Sequence, residues 1–265
     1  MFNFLRDGFR RRLILLLLLL IPTIGFAASV ATRRKQEPMR QKFVVESADG
    51  KVIANAEEVT VAEGDHMKSD LAFRFLDGSL DEQITTFTQS GVFRLINDHH
   101  VQKGSSFPAP LDMTIDVPTG TVTWHVPKGG KDTVMTQHVK LPDDLANGLV
   151  PLLVENVPPG SAGLRVSWIA IAMMRPILVT LAIQPDHSSN TAPALSHASR
   201  YFLHAELHGL TYYLASLFNK QPADLHVWVT DGVQPSFLRL QGPFYQNGPV
   251  WTVESLGPEM PTATL

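Results

Sequence analysis

Residues 73–95 read FRFLDGSLDEQITTFTQSGVFRL, and two structures compete for the acidic centre of that stretch. As a calcium loop, DGSLDE would put Asp77, Ser79 and Asp81 at positions one, three and five. Position six must then be Gly and is Glu82, and position twelve must be Glu and is Thr88. An EF-hand also needs a helix on either side, whereas the flanks AFRFL and QITTFTQ alternate apolar and polar residues at the two-residue period of a strand. The stretch therefore reads as a β-hairpin turned by Asp77-Gly78, with its carboxylates in solvent.

The same pattern extends in both directions. Strand-length runs rich in Val, Ile, Thr and aromatics occupy 43–47, 51–62, 67–76, 82–89, 92–97, 112–116 and 121–126, with ADG, LDG, QSG and PTG between them. Further runs follow at 164–171, 177–184, 201–207, 225–229, 237–240 and 250–255. Such regular punctuation predicts a mainly β fold, an antiparallel sheet that curls into an open or half β-barrel or folds into a sandwich. Two segments break the pattern. In LPDDLANGLVPLLVENV (141–157), Pro142 suits a first helical turn, and Leu145, Leu149, Leu152 and Leu153 form one apolar face, with a kink or restart at Gly148 and Pro151. In LTYYLASLFNK (210–220), Leu210, Tyr213, Leu214, Leu217 and Phe218 follow helical spacing. The expectation is two short helices packed on the sheet.

Ahead of the strands, Arg10, Arg11 and Arg12 lead into LILLLLLLIPTIGFAAS, a basic region, then an apolar run, then small residues. That order is an export signal, with cleavage after Ala27 or after Ala31. As an uncleaved anchor the run would supply only about 24 Å of helix against roughly 30 Å of hydrocarbon. Residues 1–31 are thus expected to be a signal peptide or an N-terminal anchor. Residues 32–42 (TRRKQEPMRQK) read as a charged linker, 43–256 as one β-rich domain and 257–265 as a flexible tail. The place implied is the periplasm, or the inner membrane if the segment is kept.

Composition narrows the chemistry. The formal net charge is −3, and with Arg6, Arg10, Arg11, Arg12 and Asp7 set aside the remaining chain carries about −6, which argues against nucleic acid as a partner. There is no cysteine, so disulfides, thiol catalysis and thiolate metal sites are excluded, and the core alone must stabilise the domain. No nucleophile elbow, phosphate-binding loop or dinucleotide fingerprint occurs, and no cofactor is expected. His204 and His208 stand four apart around Glu206, but the segment alternates as a strand and lacks the zinc-protease order. His99 and His100 are adjacent, so on a strand they face opposite sides. Trp124, Trp168, Trp228 and Trp251 read as core-packing strand aromatics.

Several phrases together carry a resemblance: LDGSLDEQITTFTQSGVFRLINDHHVQKGSSFP, KLPDDLANGLVPLLVENVPP, and FNKQPADLHVWV leading to LQGPFYQNGPVWTVE. They resemble a group of exported bacterial proteins to which no activity is attached, over most of residues 73–254. The architecture is similar to the half-barrels of LolA/LolB-type periplasmic lipoprotein carriers, although the lipidated cysteine of LolB is missing. That likeness transfers no site residue.

These features lead to the expectation of a non-catalytic envelope protein that holds a lipid or other hydrophobic ligand in a β-sheet cavity, lined by residues such as Phe93, Leu152, Trp168 and Phe218. Two readings from other classes stand beside it. A hydrolase would require Asp81, Glu82, His99 and His204 to converge in one cleft. A structural or interaction protein would present a flat apolar patch to an envelope partner.

Overall fold

The computed structural model describes residues 30–128, 131–158, 160–172, 175–186, 197–206, 223–232 and 234–258. Eight strands run outward as a meander: β1 (Met39–Glu46), β2 (Val52–Glu63), β3 (His66–Phe75), β4 (Leu80–Thr88), β5 (Arg94–Lys103), β6 (Leu111–Asp116), β7 (Thr121–Lys128) and β8 (Lys131–His138). A crossover containing the short helix α1 (Val150–Glu155) then leads to the far edge. Six more strands return from there: β9 (Leu164–Ala172), β10 (Arg175–Pro185), β11 (Ala198–Glu206), β12 (Leu225–Thr230), β13 (Phe237–Gly242) and β14 (Trp251–Pro258). The result is one antiparallel sheet of 14 strands in which β1 pairs with β14, and β8 and β9 form the two edges.

This is the curled, unclosed sheet expected, and a single layer rather than a sandwich. Its curl follows from its core. Buried side chains of β3–β7 (Phe87, Leu95, Ile115, Trp124) share one cluster with those of β9–β12 (Val166, Leu181, Leu203, Val227), although these strands are far apart in the sheet order. The crossover bridges the two halves. Leu145, Ala146, Leu149, Leu153, Val154 and Val157 are buried between them, and each large aliphatic among them contributes roughly 1.5–3 kcal/mol. Thus the concavity is filled by the chain's own apolar segment.

Local sequence explains how the crossover is seated. Helix was expected to begin near Pro142, but Leu145 instead forms a parallel bridge to Ser167 of the edge strand β9. The buried Asn147 side chain extends that pairing like a strand: its Nδ2 donates to the Ile169 carbonyl and its Oδ1 accepts the Ile169 N–H, both at 2.8 Å. Gly148, at φ +71°, then turns the chain so that α1 begins after it, with Pro151 in the first turn where its missing N–H costs nothing. The edge of β9 is thereby covered. The second expected helix, at 210–220, lies outside the described residues.

Two boundaries move. At the C-terminal end β14 runs to Pro258, past the expected domain end at 256. Residues 32–42 were expected to be a solvated linker, yet β1 already starts at Met39, where inward-facing Gln41 and Phe43 alternate with outward-facing Arg40 and Lys42. The preceding residues form a strap on the sheet. Val30 and Thr32 exchange backbone hydrogen bonds with Phe93 and Gly91, at 3.0 and 2.9 Å. The N–H groups of Arg33 and Arg34 both donate to Asn156 Oδ1. Strand β8, with polar residues such as Lys131, Thr136 and Gln137, was not anticipated. Of the expected signal segment, residues 1–29 lie outside the described residues, as do 259–265 of the expected tail.

At one end of the central strands a second core caps the sheet. Loops after β5 and β13 fold Phe107, Phe244 and Tyr245 onto Phe75 and Trp251, with Phe75–Phe107 and Phe244–Trp251 ring centroids 5.3 and 5.0 Å apart in edge-to-face geometry. The opposite end of the half-barrel carries the strap.

Candidate functional site

Among the described residues, two polar regions stand out against the apolar interior. The first is a consequence of strand register. On β4 and β5, the period of two turns Asp81, Gln83 and Thr85 to the same face as Gln102, His100 and Asp98, their respective cross-strand partners. Asp98 is fully buried and accepts from Thr85 Oγ1 at 2.9 Å and from Gln83 Nε2 at 3.1 Å. Asp81 is also buried; its oxygens meet His100 Nε2 at 2.8 Å and Gln102 Nε2 at 2.9 Å. Burial pushes the Asp98 carboxyl up from its ordinary range, against the pull of the His100 charge and the hydrogen bonds of Thr85 and Gln83. Burial opposes protonation of His100, but the Asp81 hydrogen bond and the fields of Asp81 and Asp98 outweigh it and raise the imidazole overall.

This cluster is covered by protein. Gly148 of the crossover sits directly on it, where a Cβ would overlap Thr85 Oγ1 and Asp98 Oδ1. Gln102 also donates to the Phe244 carbonyl of the aromatic plug at 3.1 Å. The cluster is thus enclosed between the sheet, the crossover and the plug.

The second region is open. At the strap end, a cleft of about 780 Å³ lies among the strap, the C-terminal end of α1, and the ends of β10, β11 and β12. Arg33 and Arg34 come from the strap, Glu155 from α1, Asp186 from the end of β10, Arg200 and Tyr201 from β11, and Asp231 from the end of β12. Apolar wall is supplied by Val154, Val157, Pro185 and Val229.

Charges in the cleft are sorted. Arg200 Nε lies 2.8 Å from Asp186 Oδ2, and Asp231 accepts from Ser199 Oγ at 2.6 Å. Arg33 donates to the Val157 carbonyl at 3.0 Å and Arg34 to that of Pro235. Glu155 takes the Phe237 N–H at 2.9 Å, and its other oxygen lies 4.0 Å from Arg34 Nη1. Burial raises the Glu155 carboxyl to about 7. The Phe237 N–H and Arg34 oppose that rise, while Glu58 on β2 reinforces it. Glu58 is itself raised by burial, against one hydrogen bond from Ser69 Oγ at 2.7 Å.

The residues singled out from sequence fall elsewhere. Phe93 is buried in the main core, and Leu152 and Trp168 pack against that core; none of the three lines the cleft. Phe218 lies outside the described residues, as does His208. The four hydrolase candidates do not converge. Asp81 points inward to His100, while its neighbour Glu82 takes the opposite face of β4. His99 meets Asp112 at 3.0 Å on the face away from His100, and His204 on β11 pairs with Asp224 at 2.6 Å. Of the DGSLDE carboxylates, expected in solvent, Asp77 is exposed in its turn and Asp81 is not. Asp77 accepts from the Ser79 N–H and the Ser105 and Ser106 hydroxyls, which hold its pKa well below the usual range, and Asp81 is buried.

Among the described residues no group of three or more His, Asp or Glu side chains is arranged to hold a metal ion. The cleft residues come from five separated segments and carry no spacing signal in the sequence; the one local hint is Arg33-Arg34, beside an apolar run and within the expected linker. No protein-family model matches the chain, and no curated protein matches it.

Proposed function

We propose that this is an exported, non-catalytic protein of the cell envelope that binds a lipid or similar amphiphile, at the open end of the half-barrel. The observation that carries the reading is the strap-end cleft. Its volume of about 780 Å³ is that of a small-molecule site, and its lining combines apolar wall with a few convergent charged groups. The interior of the sheet is a poorer candidate, because Leu149, Leu153 and Val154 already fill it. The lining expected at Phe93, Leu152 and Trp168 is therefore replaced by the cleft wall. Export rests on the N-terminal order of basic, apolar and small residues. The apolar run ends at Ala28, five residues before Arg33, so a chain held in the bilayer by that run would keep the cleft within about 18 Å of it.

Native mass spectrometry of protein purified from bacterial envelopes without detergent tests the proposal. The expected result is a co-purifying amphiphile, lost in a Val229→Arg variant that obstructs the cleft wall. A protein that is consistently empty, and that takes up no amphiphile when exposed to envelope lipid extract, would overturn it.

A further inference from the structure

The cleft holds three arginines and three carboxyl groups, but they are not equivalently engaged. Arg200 is committed to Asp186 at 2.8 Å. Arg33 and Arg34 are instead steadied by neutral backbone carbonyls, of Val157 and Pro235. A guanidinium carries five N–H donors in a planar fork suited to an oxyanion, and one carbonyl occupies few of them. The carboxyl group nearest to Arg34 is Glu155, and at 4.0 Å it is beyond hydrogen-bond distance. We propose that the headgroup taken by this cleft is a singly charged oxyanion of an amphiphile, seated on Arg33 and Arg34, and that Glu155 takes up a proton from solvent as the anion docks. The inference rests on the cleft being the binding site and adds its ligand class.

Every group packed around Glu155 bears on that exchange. Arg34 on the strap favours the carboxylate, as does the Phe237 N–H of β13. Burial of the side chain and the charge of Glu58 on β2 favour the acid. Asp186 and Asp231 also line the cleft, one against Arg200 and the other against Ser199. In the empty cleft near neutral pH the opposing influences leave Glu155 divided between its two forms, its pKa raised to about 7. An anion on Arg34 withdraws the positive field that supports the carboxylate and adds a repulsion, so the acid form prevails. Apolar chain beyond the headgroup has Val154, Val157, Pro185 and Val229 to lie against.

Calorimetric titration with three probes tests this: decanesulfonate, whose charge is constant across the pH range used, methanesulfonate and decyltrimethylammonium. Decanesulfonate is expected to bind one to one, about tenfold more tightly at pH 6 than at pH 8, because the empty site must gain the proton that the complex keeps. Buffers of different ionisation enthalpy should report proton uptake at pH 8. Glu155→Gln should bind with little pH dependence, and Arg34→Gln should lose tenfold or more in affinity. Decanesulfonate binding that is independent of pH in the unaltered protein overturns the proton exchange, whether or not the variants fold. Methanesulfonate binding as tightly as decanesulfonate would assign the site to a small free anion and overturn the amphiphile. If decyltrimethylammonium binds and decanesulfonate does not, the cleft remains a site but its ligand class is wrong. If no probe binds, the reading of the cleft itself fails.

Discussion

His100 Nε2 meets Asp81 Oδ1 at 2.8 Å across the β4–β5 pair, on a diagonal, because the residue directly opposite Asp81 is Gln102 and the one opposite His100 is Gln83. The contact lies inside, where Asp81 retains 9% of its side-chain surface and His100 19%. A His held with its pKa above the ordinary 6.5 stabilises the fold fully below that value and loses the contribution as pH rises through the folded pKa. Urea unfolding at pH 6 and pH 9 should therefore show lower stability at pH 9. His100→Ala, which strands the buried Asp81 carboxylate, should cost about 3 kcal/mol at pH 6 and less at pH 9. Equal losses at both pH values would mean that the pair contributes packing and not charge.

Gly148 makes a sharper test of how the crossover is seated. Ala at this position keeps φ +71° at a cost of about 1 kcal/mol and also drives a methyl group into Thr85 and Asp98, which adds roughly 1–3 kcal/mol. Gly78 provides the control. Its φ is +85° but nothing lies within 4 Å of its would-be Cβ, so Gly78→Ala should cost only the conformational part. Chemical denaturation of the two variants should show Gly148→Ala to be clearly the less stable; equal losses would remove the close approach.

The strap bears on the processing that the proposed export implies. Val30 and Thr32 pair with Phe93 and Gly91, and Val30 packs against the main core. Cleavage after Ala31 would remove one side of that pairing, whereas cleavage after Ala27 leaves it intact. The N-terminus of the mature protein should thus be Ala28. A chain starting at Thr32 should be less stable than one starting at Ala28 by about 1 kcal/mol, the worth of a backbone hydrogen bond and a little burial. Intact mass of the protein recovered from cells and melting of the two chains decide it.

The sheet was legible in the sequence because its hairpins announce themselves. Asp77-Gly78 between FRFL and EQITTFTQ needs no tertiary information to be read as a turn, and the same holds for most strands of the meander. Strand β8 escaped because it is an edge strand whose residues can remain polar on both faces. The start of β1 is obscured in the sequence by the charges of Arg40 and Lys42, which alternate with the inward-facing Gln41 and Phe43. Site geometry was less accessible. Period two separates His99 from His100, but it does not say that His100 will reach Asp81: that needs the β4–β5 register, which shifts at a bulge between Thr86 and Phe87. The cleft depends on the crossover bringing Glu155 to Arg34, which are over a hundred residues apart along the chain.

Glu155 gives a second pH dependence with its own window. The side chain is 15% exposed, and burial raises its carboxyl from 4.5 to about 7. The folded state therefore binds more protons than the unfolded chain between those two values, and stability must fall as pH climbs through them. The two values differ enough for a loss of about 3 kcal/mol in all. The His100 contribution has the same sign but is lost only above 6.5, so the two are separable. Glu155→Gln keeps an acceptor for the Phe237 N–H without the ionisation. Its stability should exceed that of the unaltered protein at pH 8 and approach it at pH 5, where Glu155 is already neutral. Denaturant midpoints at pH 5, 6, 7 and 8 give the comparison directly. A variant less stable than the parent at pH 8 would show that the ionised carboxylate is welcome beside Arg34, and that burial does not govern this position.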